Sequence, residues 1–553
     1  MIGVGKGFMS KVAHYLQEHL VGEVMTNADA RRYFATDASI FSLPPAIVVY
    51  PRNENDIRKT ARFTWQLAER GRVIPMTARG LGTDQSGAAL GSGIMLVFPA
   101  HMHQILEFEG KSGDVTVEPG IVYGKLQQAL HTHSRFLPPY PASLEYSTVG
   151  GAIGNNAGGE RSIKYGSTRP FVKRLRVVLA NGEIIEVRRL NKRELNKKLG
   201  LNSMEGEVYR QLDKLLEENQ AVIKKSVLPV TKNAAGYALP EIRNKDGSFD
   251  LTPLFVGSQG TLGIMTEATL STEPHNPKAT LIVAFLDDLS IAQEIIAELH
   301  KFSDLPASIE MVDSHLLEFV QSQNPTLLKD VLEPPFQKLV LFIEYDNLAD
   351  RAQKHLAKKT IKLLEHFQVA YRKETDAEAR EQLWKIRQAA SAVLSHNDAG
   401  AKPVPIIEDG IVPVEKFQEF LEGIYDLFAA HRLPVSVWGH AGNAHLHVQP
   451  LLNLSQVGDR QKLFKLVEDY YALVMRLEGS TTGEHGDGRL RAPFLKQLYG
   501  PEVYDLFTQV KQIFDPYGTL NPGVKMGVTL EDIKPLLRQE YDLAHLYDHM
   551  PRS

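Results

Sequence analysis

Cysteine is missing from all 553 residues. That excludes disulfides, thiolate zinc sites and any Cys-ligated iron–sulfur cluster within the chain, so electrons handled here must sit on an organic cofactor. Long apolar runs are missing too. No window approaches the roughly 18 residues of a membrane span, and "MIGVGKGFMSKVAHYLQEHL" lacks a signal-peptide core. A soluble, cytoplasmic protein is expected, with peripheral contact to the inner membrane and homodimer formation left open. Charge of one sign is scarce: the formal net charge is −4, and basic runs are as short as "NKRELNKK". Nucleic acid is therefore not an expected partner.

What is present reads as an α+β protein of several domains. With 43% apolar and 23% charged residues the composition is globular, and the length exceeds one ordinary core. Residues 1–44 read as a helical lead-in ending at "DASIFSLPP". A βαβ opening follows, from "AIVVYP" through "NDIRKTARFTWQLAERG" to "RVIPMT". Further strands fall on "GIMLVF", "DVTVEPG", "RLRVVLANGEIIEV" and "GIMTEATL", which places one domain at 45–276. "KATLIVAFLDD", "IAQEIIAELHKF" and "KLVLFIEYD" begin a second α+β unit, 277–500, followed by a helix and Gly/Pro turn at 501–526 and a tail at 527–553, read as solvated.

Three glycine-dense segments lie in the first half: "TARGLGTDQSGAALG", "STVGGAIGNNAGG" and "GSQGTLGI". The first follows a strand without opening a helix, so it is not the dinucleotide fingerprint that sets pyrophosphate on a helix N-terminus. Backbone N–H groups in such loops form anion-binding nests, because a missing Cβ lets phosphate approach the main chain. Two Asn amides in "GNNAGG" suit the donors and acceptors of a flat heterocycle. A nucleotide-like cofactor along these loops is the economical reading.

In the second half, "VWGHAGNAHLHVQP" carries His440, His445 and His447. Strand alternation on both sides of "AGNA" predicts a hairpin that brings His440 and His447 together. Imidazole suits Zn, Cu, Fe or Ni, but a catalytic site usually needs a third protein ligand.

In their order, "RGLGTDQSG", "VEPGIVYGKLQQAL", "LPPYPAS", "STVGGAIGNNAGGERSIKYG" and "FVGSQGTLGIMTEATL" resemble the PCMH-type, two-subdomain FAD-binding domain of the vanillyl-alcohol oxidase superfamily. "LWKIRQAASAVL", "IIEDGIVPVEKF", "GHAGNAHLHV", "TTGEHGDGRLR" and "FDPYGTLNPG" resemble its FAD-linked oxidase C-terminal (cap) domain. Within it the chain is similar to D-lactate and D-2-hydroxyglutarate dehydrogenases and the FAD subunit of glycolate oxidase.

The resemblance implies an FAD site of Arg79, Gly80, Leu81, Gly82 and Thr83, with Pro141, Ser143 and Thr148. Gly150, Gly151, Asn155, Asn156 and Gly158 continue it, with Ser162, Tyr165 and Gly166. Gln259, Gly260, Gly263, Ile264 and Asn521 complete it. No His lies in "RGLGTDQSG", where some relatives attach flavin, so FAD is expected to be noncovalent. The same resemblance makes His440, His447 and Glu484 ligands of a divalent metal, with Zn preferred and Mn an alternative. It also implies His485 as the base, Arg387 as the substrate-carboxylate clamp, and Ser391 and Lys402 in the same pocket.

Departures from the pattern are Asn443, Ala444 and His445 in place of Asp, Gly and Asn, Gln449 in place of Asn, and Gln259 in place of Glu. His445 is either a fourth ligand or a pocket-shaping residue. The activity implied is oxidation of a D-2-hydroxy acid, D-lactate first, to the 2-oxo acid, with D-2-hydroxyglutarate and glycolate as alternative substrates. Quinone, cytochrome, electron-transfer flavoprotein and a separate iron–sulfur subunit all stand as electron acceptors. A metal-free alcohol or sugar oxidase and a flavin subunit of an electron-transfer complex are the competing readings.

Overall fold

The computed structural model describes residues 6–323, 325–329, 332–388 and 401–541. The expected βαβ opening is present, with one strand inserted: Ile47–Tyr50 and Met76–Arg79 both run parallel to Ile94–Val97, which lies between them. Helix Glu54–Ala68 connects the outer two. Its N-cap Asn53 accepts from the Asp56 backbone, and Ile57, Ala61, Thr64 and Ala68, at helical spacing, form its buried face. Glu23–Met25 adds an antiparallel edge.

A second sheet of five antiparallel strands follows, in the order Ile105–Glu109, Asp114–Val117, Ile264–Leu270, Val172–Val178 and Ile184–Arg188. The first glycine-rich loop joins Met76–Arg79 to Ile94–Val97 within the first sheet, and the other two lead into Val172–Val178 and Ile264–Leu270 of the second. "STVGGAIGNNAGG" is more regular than its glycines suggest: Val149–Asn155 is helical, capped by Thr148 Oγ1 on the Gly151 N–H and closed by left-handed Asn156.

Seven antiparallel strands form the sheet of the second half, ordered Ala370–Glu374, Thr280–Leu286, Leu339–Tyr345, Ser308–Asp313, Val437–His440, His445–Val448 and Gly410–Ile411. Both faces are covered. Ile282, Ala284 and Leu286 enter a core built with helices Leu289–His300, Phe417–His431 and Val457–Arg476. Leu281 and Val283 face the other way, onto helices Ser314–Gln323 and Ala377–Gln388.

After the cap the chain returns to the first half. Val503, Phe507, Val510 and Phe514 of the last long helix join the core of the five-stranded sheet. The following turn then extends the edge of Met76–Arg79, where Met76 N donates to Thr519 O and Asn521 N to Met76 O. The tail is docked as far as the described residues run: Arg538 Nε donates to Phe41 O at 2.9 Å, and the buried Tyr541 hydroxyl donates to Ala38 O at 2.8 Å. No helix among the described residues is long and apolar enough to cross a membrane.

Asn521 bolts this return in place, donating to Ala88 O and Gln259 O, each at 2.8 Å, and accepting from Thr77 Oγ1 at 3.0 Å. Asn521→Ala is expected to cost about 1–3 kcal/mol for each buried group left unpaired, read as a lower urea midpoint with reduced FAD retention. An unchanged midpoint would show that these bonds are replaceable.

Candidate functional site

One cavity of about 880 Å³ joins the glycine loops to the histidine hairpin. Ligand pockets usually span about 300–1,000 Å³. Its walls include Arg79, Gly80, Leu81, Gly82 and Thr83 from the first loop and Pro141, Ser143, Thr148, Gly150, Gly151, Asn155 and Gly158 from the second. Gln259, Gly260, Gly263 and Ile264 close that side, while Arg387, His440, His447, Glu484 and His485 form the opposite wall. Most of the expected cofactor residues thus border one space with His440, His447, Glu484, His485 and Arg387.

The loop side fits a flat, elongated cofactor. An added Cβ at Gly154 would find only Gln259 Cα, 4.0 Å away, and at Gly151 only Thr148 Oγ1 at 3.2 Å, so the cradle is open where larger residues would fill it. Arg79 reinforces this wall from behind, donating to Thr36 O at 2.9 Å and Ala89 O at 3.2 Å, while its buried Nε has no acceptor.

Several expected cofactor residues support the wall instead of lining it. Asn156 Nδ2 donates to Asn233 O at 3.3 Å and its Oδ1 accepts from Arg169 N, so the second Asn amide is spent on the protein. Ser162 Oγ donates to Asn443 Oδ1 at 2.9 Å, and the Tyr165 hydroxyl donates to Asp346 Oδ2 at 2.8 Å. Gly166, with φ of 75°, ends a short helix, and Asn521 acts as described above. Lys402 pairs with Leu452 in a two-stranded ribbon and does not border the cavity. Ser391 lies outside the described residues.

The hairpin forms as expected, with His440 opposite His445 and Trp438 opposite His447. All three imidazoles meet on one face, with ring centroids 4.7–5.2 Å apart. Glu484 completes the group: its Oε1 lies 3.1 Å from His440 Nε2 and 3.6 Å from His447 Nε2. The two Nε2 atoms are 3.4 Å apart. Candidate ligand atoms of His440, His445, His447 and Glu484 all lie within 4.8 Å of one another. Three imidazoles and a carboxylate converging in a buried space match the donor set of a divalent transition metal.

Each imidazole is held from behind by a carboxylate, the arrangement that fixes the tautomer of a metal-binding histidine. His440 Nδ1 lies 2.7 Å from Glu310 Oε1, His447 Nδ1 3.3 Å from Glu408 Oε2, and His445 Nε2 2.8 Å from Asp409 Oδ1. Glu310 accepts Arg387 Nε on its other oxygen at 2.9 Å, linking the arginine expected to clamp substrate to a candidate metal ligand, His440. Asp409, with φ of 72°, also accepts the Glu484 and His485 backbone N–H groups at 3.1 and 2.9 Å. Lys232 Nζ, buried, donates to Glu484 Oε2 at 2.5 Å and to Ser162 Oγ at 3.0 Å.

Glu310, Lys232, Glu408 and Asp409 were not among the residues expected at the site. Signals for them exist: an acid inside the apolar strand "SIEMVD" and paired acids in "IIEDG". Lys232 had none, because it reaches the site from a loop 252 residues before Glu484.

The charges are strongly shifted. Burial would raise the Glu484 carboxyl, but Lys232, His440 and His445 hold it well below its usual range. Burial, then Lys232, pushes His445 down to about 3, leaving it neutral. Burial acts against the His485 cation, yet Glu408 and Asp409 outweigh it and raise the imidazole to about 10; its Nδ1 donates to Glu408 Oε1 at 2.8 Å. The sequence leads to the expectation of a base titrating near neutrality; the two carboxylates beside His485 instead favour its protonated form. A neutral base form needs the positive charge of a nearby divalent ion to offset the two carboxylates.

A group raised in the folded state contributes stability that is full below its unfolded value, about 6.5, and lost as pH climbs through the folded one. Metal-free protein is therefore expected to lose Tm between about pH 6.5 and 10, with His485→Ala removing part of that slope. Parallel Tm profiles for the two proteins would show that His485 is not held charged.

Comparison with known proteins bears on the fold and the cofactor. Residues 45–188 match the FAD binding domain family, and residues 275–524 match the C-terminal domain of FAD linked oxidases. The glycolate oxidase subunit GlcD of Bacillus subtilis is 30% identical over 87% of this chain and 89% of its own length. The D-2-hydroxyglutarate dehydrogenase of Haemophilus influenzae is 30% identical over 92% of this chain, and that of Escherichia coli 29% over 94%. The chain spans only 50% and 52% of those two proteins. In structure, 4-ethylphenol oxidase from Gulosibacter chungangensis superposes with a TM-score of 0.68 at 14% identity, covering 96% of this chain and 99% of that one, which is a likeness of fold. The chain belongs to the FAD-linked oxidoreductases in which an FAD-binding domain precedes an FAD-linked oxidase C-terminal domain.

Proposed function

We propose that the protein is an FAD- and metal-dependent D-2-hydroxyacid dehydrogenase, with D-lactate the leading substrate and D-2-hydroxyglutarate and glycolate the alternatives. The observation that carries this reading is the chain of contacts Arg387–Glu310–His440 on a wall that faces the glycine loops. It sets a carboxylate-binding guanidinium beside a metal-type donor set, which is what a 2-hydroxy acid requires at its two adjacent oxygen functions. In this division of labour residues 45–276 hold flavin, 277–500 hold substrate and metal, and 501–526 return to the flavin side.

When bound, noncovalent FAD supplies the hydride acceptor and the divalent ion the Lewis acid that acidifies a hydroxyl. His440, His447 and Glu484 hold the ion. Arg387 binds the substrate carboxylate by charge-assisted hydrogen bonds, and Glu310 keeps its guanidinium oriented through Nε. His485 takes the hydroxyl proton at Nε2, since Nδ1 is engaged with Glu408. Trp438, bordering the same cavity, excludes water from that end.

The reading is tested by anaerobic bleaching of the flavin with a panel of D-2-hydroxy acids, before and after chelation. Chelated protein is expected to keep its FAD and lose bleaching. Full bleaching by protein shown metal-free by elemental analysis would overturn the metal dependence and favour a metal-free alcohol oxidase. Arg387→Ala is expected to weaken substrate binding roughly ten- to a hundred-fold, from losing a charge-assisted pair of about 1.5–3 kcal/mol, with FAD occupancy intact. An unchanged titration would remove Arg387 from the site.

A further inference from the structure

We infer that His445 is a fourth protein ligand, making the centre a three-histidine, one-glutamate site whose ion engages substrate only by rising to six coordination. The inference rests on the metal reading above. It begins from the hairpin, where His445 stands opposite His440 and period-two alternation puts it on the face of His447.

The side chain is built as a ligand. Its Nε2 is fixed by Asp409 Oδ1 at 2.8 Å, which makes that nitrogen the N–H donor and leaves Nδ1 with a lone pair. Nδ1 is fully buried without a hydrogen-bond partner and lies 3.9 Å from Glu484 Oε2. A buried, unpaired acceptor calls for an explanation, and the convergence of the other donors supplies one. Nor is there room for the ring to swing away: a Cβ on Gly483 would stand 2.9 Å from His445 Nε2, so the loop carrying Glu484 clamps the imidazole from behind. His445 therefore has the same construction as His440 and His447, with a carboxylate on one nitrogen and the metal space at the other.

The count of donors determines the chemistry. Four protein donors fill a tetrahedral ion, and zinc held this way is closed to substrate. The hydroxyl and carboxylate oxygens of a 2-hydroxy acid bring the total to six, the geometry favoured by ions such as Mn(II), Fe(II) and Co(II). The preference for zinc drawn from the sequence is thereby reversed.

The test uses the FAD-containing protein, stripped of metal by chelation and reloaded with cobalt(II) or manganese(II) chloride. X-ray absorption on the wild type is expected to count three imidazoles on the ion, and addition of D-lactate to keep all three while the coordination number rises. His445→Asn, which preserves a polar side chain at the position, is expected to weaken metal binding by about a hundred-fold, at or above what losing an outer hydrogen-bond partner costs. Two imidazoles in the wild type, or unchanged affinity in His445→Asn, would overturn the fourth ligand. The metal reading would then still stand if His440→Ala loses the ion. A wild type that binds none of these ions would overturn both.

Discussion

The site depends on keeping four buried carboxylates charged: Glu310, Glu408, Asp409 and Glu484. Removing a carboxylate from water costs several kcal/mol unless it is paired and hydrogen-bonded. Three cations face them directly: Arg387 on Glu310, Arg491 on Glu408, and Lys232 on Glu484. Four negative charges against three positive leave one to be met. His440 and His485, both raised despite burial by the neighbouring carboxylates, are the groups whose protonation can offset it. A divalent ion among the ligands would supply that charge instead, so its entry must expel protons, and affinity must rise with pH until those protons are gone. Glu408 and Asp409 do most of the positioning. Two adjacent residues orient three imidazoles and two backbone N–H groups, and the left-handed backbone at Asp409 is tolerated because so many partners fix it.

The same economy joins the two halves of the chain. Arg161 reaches from the second glycine loop to Glu344 and Asp346 on the cap sheet at 2.8 and 2.9 Å, where Lys164 and Tyr165 also bind Asp346. Ser162 meets Asn443 at the tip of the hairpin, and Gln259 donates to His485 O while accepting from Gly488 N at 2.8 Å. A glutamate at 259 could accept from Gly488 but could not donate to Asn155 Oδ1 or His485 O. The glutamine is thus a bolt between the third glycine loop and the loop carrying His485. Tyr165 and Ser162 serve the cofactor wall through this interface, without bordering the cavity.

Much of this was legible in sequence because local rules carried it. Alternation around "AGNA" fixes which histidines share a face, and glycine clusters mark where the backbone must stay bare. Other features were legible only with the fold. Asn155 and Asn156 are chemically identical neighbours, yet the helix ending between them leaves one on the cavity wall, its amide paired with Asp84 and Gln259, and turns the other into the protein. Lys402 sits close in sequence to Glu408 but on a separate ribbon. The imidazole expected to titrate near neutrality is pushed upward, because acids at 408 and 409, more than seventy residues before it, favour its proton. Motifs identify which residues meet; the balance of charge among them is a property of the assembled site.

That assembly runs in both directions. Gly158 belongs to the loop that borders the flavin side, where glycine invites an explanation by cofactor approach alone. Yet a Cβ there would lie 2.5 Å from Glu484 Oε2 and 2.9 Å from Lys232 Nζ. Those atoms form the ion pair that leaves Glu484 Oε1 to the histidines. The missing side chain therefore clears space for Glu484, a candidate metal ligand, as well as for the cofactor. A larger residue at 158 would press first on the Lys232–Glu484 pair, so the position is constrained by the cap's chemistry through a residue of the flavin domain. The glycine signature and the "GEHGDG" signature are two sides of one contact, which is why neither half of the chain forms the site alone.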